Sequence, residues 1–320
     1  MIQAKGLAKT FSTKQGPVEA VAGVDFTVDA GEIVGFLGPN GAGKTTTMRM
    51  LTTLLPPSSG TAVIAGCDLL HESAKVRRHI GYVSQAGGAK PGSPVRRDLV
   101  LQGRLYGMSR PEAEARAEEV MVQLGLEDLA SRVVQTLSGG QRRRVDMALG
   151  LIHGPELLFL DEPTANLDPE SRNGVWEHIR RLRDEHGTTV FLTTHYLDEA
   201  DSLCDRVLII DKGRIIAEDS PQSLKAAISH DTIRIEVDVD ATRARDLLAA
   251  HRDVHEVSVD GVVLSVSCRD AERILADLLR VLETARIRVE SLRVVKPTLD
   301  DVFMTMTDRR PQRDADAVHA

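Results

Sequence analysis

The chain has 320 residues, 42% hydrophobic and 27% charged, with a formal net charge of −7. That length and composition support a large buried core and about two domains, and the acidic balance argues against a protein that works by neutralising nucleic-acid phosphates. No apolar stretch approaches the ~20 residues needed to cross a bilayer and the N-terminus lacks the apolar core of a signal peptide, so the expected location is the cytoplasm.

Near the N-terminus, Val24, Phe26 and Val28 alternate with Asp25, Thr27 and Asp29, the pattern of a half-buried antiparallel strand. It leads into the apolar run Ile33-Val34-Gly35-Phe36-Leu37 and directly on to Gly38-Pro39-Asn40-Gly41-Ala42-Gly43-Lys44-Thr45-Thr46. The spacing G-x-x-x-x-G-K-T belongs to a loop that bends around a phosphate chain with its N–H groups inward. Lys44 reaches the terminal phosphates and the Thr45 hydroxyl ligates Mg²⁺. A helix expected from Lys44 to Leu54 aims its positive N-terminal end at the same anion. A nucleoside triphosphate with Mg²⁺ is the expected ligand.

After Gln85 the character changes. A Gly/Pro-rich stretch from Ala86 to Pro94 precedes a helix-rich region in which Ala117, Val120, Met121 and Leu124 fall on one helical face, an inserted helical subdomain over about residues 86–155. Leu137-Ser138-Gly139-Gly140-Gln141 then opens a helix carrying Val145, Leu149 and Ile152. Serine is a favoured N-cap and glycines let backbone N–H groups approach a ligand, so this is a second anion site. One chain with one nucleotide does not need two such sites, which points to a nucleotide held by another copy. Arg142-Arg143-Arg144 reads as a solvated helix face, with a docking patch as the alternative.

The short runs Leu157-Leu158-Phe159-Leu160, Val190-Phe191-Leu192 and Val207-Leu208-Ile209-Ile210 suit parallel strands covered on both faces. The first ends in Asp161-Glu162-Pro163. Successive strand residues point to opposite sides, so Asp161 suits the Mg²⁺ shell and Glu162 is free to orient or deprotonate an attacking water. His195 follows Thr193-Thr194 at the end of the second run.

A second unit starts near Ser229. Ile233, Ile235, Val237 and Val239 alternate; a helix follows from Ala241 to Ala250; Val257 and Val259 face Leu264 and Val266 across a turn at Asp260-Gly261. Ile274, Leu275, Leu278 and Leu282 form a helical stripe, and Ile287 and Val289 restart a strand. The order β-α-β-β-α-β predicts a ferredoxin-like domain over 229–308, with a polar, disordered tail at 309–320. Cys67, Cys204 and Cys268 are odd in number and scattered, the pattern of core or near-core thiols.

The motifs over Ile2 to Ser223 together resemble an ATP-binding cassette (ABC) ATPase, with Leu137 to Gln141 the most specific element. The resemblance implies an α/β P-loop fold, a mixed sheet with a helical subdomain, over 1–228. It implies that Gly38 to Thr45 is the Walker A motif, Gln85 the glutamine linking metal and membrane partner, and Asp161 with Glu162 the Walker B pair. Ala165-Asn166-Leu167-Asp168 matches the D-loop, His195 the switch histidine, and Phe11 the aromatic against adenine. Gly35 to Leu55, Gln141 to Gly150 and Lys296 to Phe303 are similar to the ATPases of daunorubicin-type drug exporters. ATP, a homodimer closed head to tail and a separate type-2 membrane permease are thereby implied, with no nucleic-acid partner and a place on the cytoplasmic face of the membrane. The alternative is a soluble cassette acting on ribosomes or DNA. Two departures stand out: the glycine-rich 86–94 stretch, and Asn166 where relatives commonly carry a smaller residue.

Overall fold

In the computed structural model, which describes residues 1–14, 16–228, 231–238, 241–268 and 270–307, β1 (Ile2–Thr13) and β2 (Gly16–Val28) form an antiparallel pair. Val24, Phe26 and Val28 point into the core while Asp25 and Thr27 stay exposed, as the alternation predicts. β3 (Ile33–Leu37) is buried throughout and leads through the glycine loop into α1 (Lys44–Leu51). This helix stops short of the expected Leu54 because Thr53 adopts a left-handed backbone, φ 62°.

β4 (Ser59–Ile64), β5 (Cys67–Asp68), α2 (Ser73–His79) and β6 (Ile80–Val83) come next. Then α3 (Val95–Leu105), α4 (Arg110–Gln123) and α5 (Gly139–Leu151) fall within the stretch read as a helical subdomain. Ala113, Ala117, Val120 and Met121 form the buried face of α4. Its N-terminus is fixed by Ser109 and Glu112, whose side chains each accept from the other's backbone N–H.

β7 (Leu157–Asp161), α6 (Pro169–His186), β8 (Thr189–Thr194), α7 (Leu197–Leu203), β9 (Arg206–Asp211) and β10 (Arg214–Asp219) complete the first unit. Helix α6 starts on Asp168 with Pro169 in its first turn and ends on Gly187 at φ 65°. Among the described residues the first unit holds a sheet ordered β2-β1-β4-β5 and a mixed sheet ordered β10-β9-β3-β8-β7-β6, parallel from β9 to β6. Between them Phe26, Phe36, Phe159 and Phe191 form one aromatic cluster.

Contacts divide the chain after Pro221, seven residues ahead of the boundary read from composition, because α8 (Pro221–Ile228) groups with the second unit. That unit continues through β11 (Asp231–Val237), α9 (Ala241–Ala249), β12 (Val254–Asp260), β13 (Val263–Cys268), α10 (Ala271–Thr284), β14 (Val289–Val295) and α11 (Leu299–Thr307). Its antiparallel sheet is ordered β12-β13-β11-β14, and Val257 pairs with Val266 and Val259 with Leu264, the register expected of a ferredoxin-like β-α-β-β-α-β unit. Ile287 is buried but precedes β14 and does not begin it. Ser229, Val239 and the tail at 309–320 lie outside the described residues. Among the described residues no helix is long and apolar enough to cross a membrane.

Candidate active site

β6, β7, β8 and β3 are parallel neighbours in that order, so the segments leaving their C-terminal ends meet along one edge of the sheet. Gln85 follows β6, Glu162 follows β7, His195 follows β8, and the glycine loop follows β3. Residues far apart in sequence are thus brought together by strand order alone. They surround a cavity of about 590 Å³, large enough for a nucleotide.

The loop needs its glycines. Gly43, the residue before α1, has φ 109°, and a Cβ there would lie 2.5 Å from the Ala20 carbonyl oxygen; a Cβ on Gly38 would lie 2.3 Å from that of Ile210. No side chain caps α1, so its leading N–H groups are left to face the cavity. Lys44 Nζ donates to the carbonyls of Gly38 (2.6 Å) and Pro39 (3.1 Å), and lies 3.9 Å from Glu162 Oε1. Burial draws its pKa below the usual lysine value, against the opposing pull of the Glu162 and Asp161 charges. Pro39, Asn40, Gly41, Thr45 and Thr46 also line the cavity, while Ala42 packs in the core beneath.

Glu162 is held from three sides. Gln85 Nε2 donates to its Oε2 at 2.9 Å, His195 Nδ1 stands 3.1 Å from Oε1, and its backbone N–H meets the Thr193 carbonyl and hydroxyl oxygens, both at 3.1 Å. Its φ of 46° is a left-handed conformation uncommon for a non-glycine residue. Asp161 points the other way into the interior, where Thr193 Oγ1 donates to Oδ1 at 2.6 Å and Thr45 Oγ1 lies 3.4 Å from it. The two adjacent carboxylates therefore do occupy different surroundings.

The remaining expected residues fall elsewhere. Ser138, Gly140, Gln141 and Asp168 line a separate cavity of about 620 Å³, with Gly139 against Leu167. Ser138 and Gln141 cap α5 reciprocally, and Asp168 caps α6, its carboxylate held below the usual range by the Ser171 backbone and hydroxyl. One copy of the chain does not bring these residues to Lys44. Phe11 lies exposed on β1 with Lys9 Nζ 5.4 Å from its ring centroid, and is not among the residues lining the nucleotide cavity.

The sequence reading missed Thr193 and Tyr196. Thr193 is the β8 partner of Asp161 in the β7–β8 register, and Tyr196 lines the cavity beside His195, with ring centroids 4.1 Å apart. Their adjacency to His195 was the available signal. The arginine run is also not one solvated face: Arg143 is buried, 7% exposed, and donates to three backbone carbonyls.

The family model described as ABC transporter matches residues 21–165, and that of the C-terminal domain of DrrA1-3-like ATP-binding proteins matches 220–307. The daunorubicin/doxorubicin resistance ATP-binding protein DrrA of Streptomyces peucetius is 43% identical, across 96% of this chain and 92% of that one. The chain belongs to the ABC transporter family of ATP-binding proteins. It is an ABC ATPase, and ATP is its ligand. The linearmycin resistance ATP-binding protein LnrL of Bacillus subtilis is 36% identical over 97% of this chain and 99% of its own. Among solved structures, a dimeric ATP-binding cassette in a post-hydrolysis state bound to ADP and Pi superposes with TM-score 0.63 and 28% identity, covering 69% of this chain and 98% of that one. CbiO1 of Clostridium perfringens, part of the transporter complex CbiONQ, gives TM-score 0.64 at 28% identity over 70% and 90% of the two chains.

Proposed function

We propose that this ABC ATPase is the ATP-hydrolysing subunit of an exporter, working in pairs beneath a separate type-2 membrane permease to expel a drug, an antibiotic or a similar amphipathic compound. The full-length likeness to resistance proteins, extending through the C-terminal domain, carries the cargo class. The separation of the two cavities carries the pairing. In a head-to-tail dimer, Ser138 to Gly140 of each copy closes over the triphosphate lying on the other's glycine loop, and symmetry makes the two sites equivalent.

In this reading the loop N–H groups and Lys44 hold the β- and γ-phosphates. Thr45 and Asp161, with Gln85 beside them, present the hard oxygen donors that suit Mg²⁺, a cation that takes few protein ligands and leaves most of its shell to phosphate and water. Bound there, it would neutralise phosphate charge. Glu162 orients the water and accepts its proton as the oxygen attacks the γ-phosphorus and the bond to the bridging oxygen breaks. The Gln85 carboxamide bonds the Glu162 carboxylate on one side, and the His195 ring stands against the other.

Sizing chromatography with ATP and Mg²⁺ tests the shared site. Glu162→Gln is expected to elute as a dimer with ATP and as a monomer without it, whereas Lys44→Ala stays monomeric for want of nucleotide. A Glu162→Gln protein that remained monomeric at every ATP concentration would end the shared-site account. Co-purification from membranes with a polytopic subunit tests the permease, and efflux from cells carrying both tests the cargo class.

A further inference from the structure

Helix α5 is bonded to the active loop behind its own tip. The Arg143 guanidinium donates through Nη1 to the Ser84 carbonyl (2.7 Å), through Nη2 to that of Asp161 (2.9 Å) and through Nε to that of Pro163 (2.8 Å). Ser84 immediately precedes Gln85, and Asp161 and Pro163 flank Glu162. A single planar fork therefore grips the backbone just before Gln85 and on both sides of Glu162, two side chains that bond to one another at 2.9 Å.

Three residues along the same helix face, Asp146 Oδ1 accepts from the backbone N–H groups of Gly88 (2.7 Å) and Ala89 (2.9 Å). Gly87 has φ 78°, and a Cβ there would sit 2.6 Å from Asp146 Oδ2. The unusual glycine-rich sequence after Gln85 thus has a physical cause: it wraps a carboxylate in consecutive N–H groups, which a side chain at 87 would push away. Between the two attachments, Ser84 and Gly87 close a turn through Gly87 N to Ser84 O (3.1 Å) and Ser84 Oγ to Gly87 O (3.0 Å).

We infer that Arg143 is a positioning residue for ATP hydrolysis, and that with Asp146 it makes the segment 84–89 and helix α5 a single moving body. Displacement of the Ser138–Gly140 tip then reaches Gln85 and Glu162 of the same chain without passing through solvent-exposed contacts. The inference rests on the roles given above to Gln85 and Glu162. Arg116 supplies an internal contrast. It donates from α4 to the carbonyls of Leu151 (3.2 Å) and Ile152 (3.3 Å) at the far end of α5, with no bond to the site.

The test uses the full-length protein with ATP and Mg²⁺, measuring nucleotide affinity and turnover separately. Arg143→Lys keeps the charge but loses the three-way fork; turnover is expected to fall about tenfold or more with affinity within about twofold. Arg116→Lys is expected to change neither. On a Gln85→Ala background, Arg143→Lys should slow turnover little further, since both act through one pair. Asp146→Ala, which removes the acceptor and releases only the glycine-rich end, should slow turnover with affinity retained, and it decides the matter if Arg143→Lys does not fold. Wild-type turnover in Asp146→Ala or in folded Arg143→Lys, with Gln85→Ala and Glu162→Gln slow, overturns the clamp and leaves the reading of the pair intact. Wild-type turnover in Gln85→Ala and Glu162→Gln overturns both.

Discussion

The β-α-β-β-α-β unit is built on an apolar core: Ile233, Ile235, Leu264, Val266, Ile274, Leu278 and Leu282 fill it, and pairs such as Lys296 with Glu272 sit at the surface. The first unit is different. Among the described residues, every buried polar or charged side chain lies between Lys44 and Glu199. Burying such groups is unfavourable unless they are bonded, and several are: Asp161 to Thr193, Arg143 to three carbonyls, Glu199 Oε1 to Thr164 Oγ1 (2.7 Å) and Trp176 Nε1 (2.9 Å), while Glu199 Oε2 has no hydrogen-bond partner among the described residues. One unit has a core of apolar side chains, while the other carries buried polar side chains through its core as well.

That contrast can be broken most sharply at Glu162. Glu162→Gln is expected to cut turnover by about 10²–10⁴-fold while ATP still binds; single-turnover kinetics beside equilibrium binding check both halves, and equal losses in the two would erase the distinction between holding and reacting. Next in size, Leu278→Ala in the second unit is expected to cost about 2–5 kcal/mol. The loss should appear in calorimetry as a lowered transition for that unit with ATP turnover preserved. A single transition that drops as a whole would deny the units their separate cores.

Ser138→Ala removes the α5 cap and is expected to cost about 1 kcal/mol of stability. Urea titration measures it, and no change in midpoint would mean that the cap contributes nothing at rest. The smallest effect concerns pH. Burial raises the Glu199 carboxyl above its ordinary value of 4.5. The unfolded chain releases that proton first, so the stabilisation is complete below about 4.5 and declines as pH rises through the folded value. Glu199→Gln stays neutral, and its melting temperature should gain on the wild type by a few degrees between pH 5 and pH 8. A difference independent of pH would count against a raised Glu199 pKa.

The two units also differed in how far their sequences disclosed them. Period-two alternation at Ile233 to Val237 and Val257 to Val266 disclosed β11, β12 and β13 and the pairing of the β12–β13 hairpin, because these strands answer to a single apolar face, while the last strand begins at Val289 and not at the expected Ile287. In the first, the glycine loop, Asp161-Glu162 and the Ser138 cap were legible because their function depends on local spacing. Arg143, Asp146 and Glu199 were not. Their partners are carbonyls, N–H groups and side chains 18 to 59 residues away, and no local period encodes such bonds. A run of three arginines has the composition of an exposed face, and only the packing of α5 on the loop before α3 separates Arg143 from its neighbours. The early end of α1 at Thr53 was hidden for a similar reason, since threonine rarely takes a left-handed backbone unless its surroundings require it.

The self-satisfied tip of α5 has a last consequence. Ser138 Oγ already accepts the Gln141 N–H at 3.3 Å, and Gln141 Oε1 the Ser138 N–H at 3.1 Å. In the dimer proposed above, an anion reaching this tip would meet a helix end whose cap is already closed by its own residues. Such an end keeps its shape with the anion present or gone, as a machine that must open after every turnover requires.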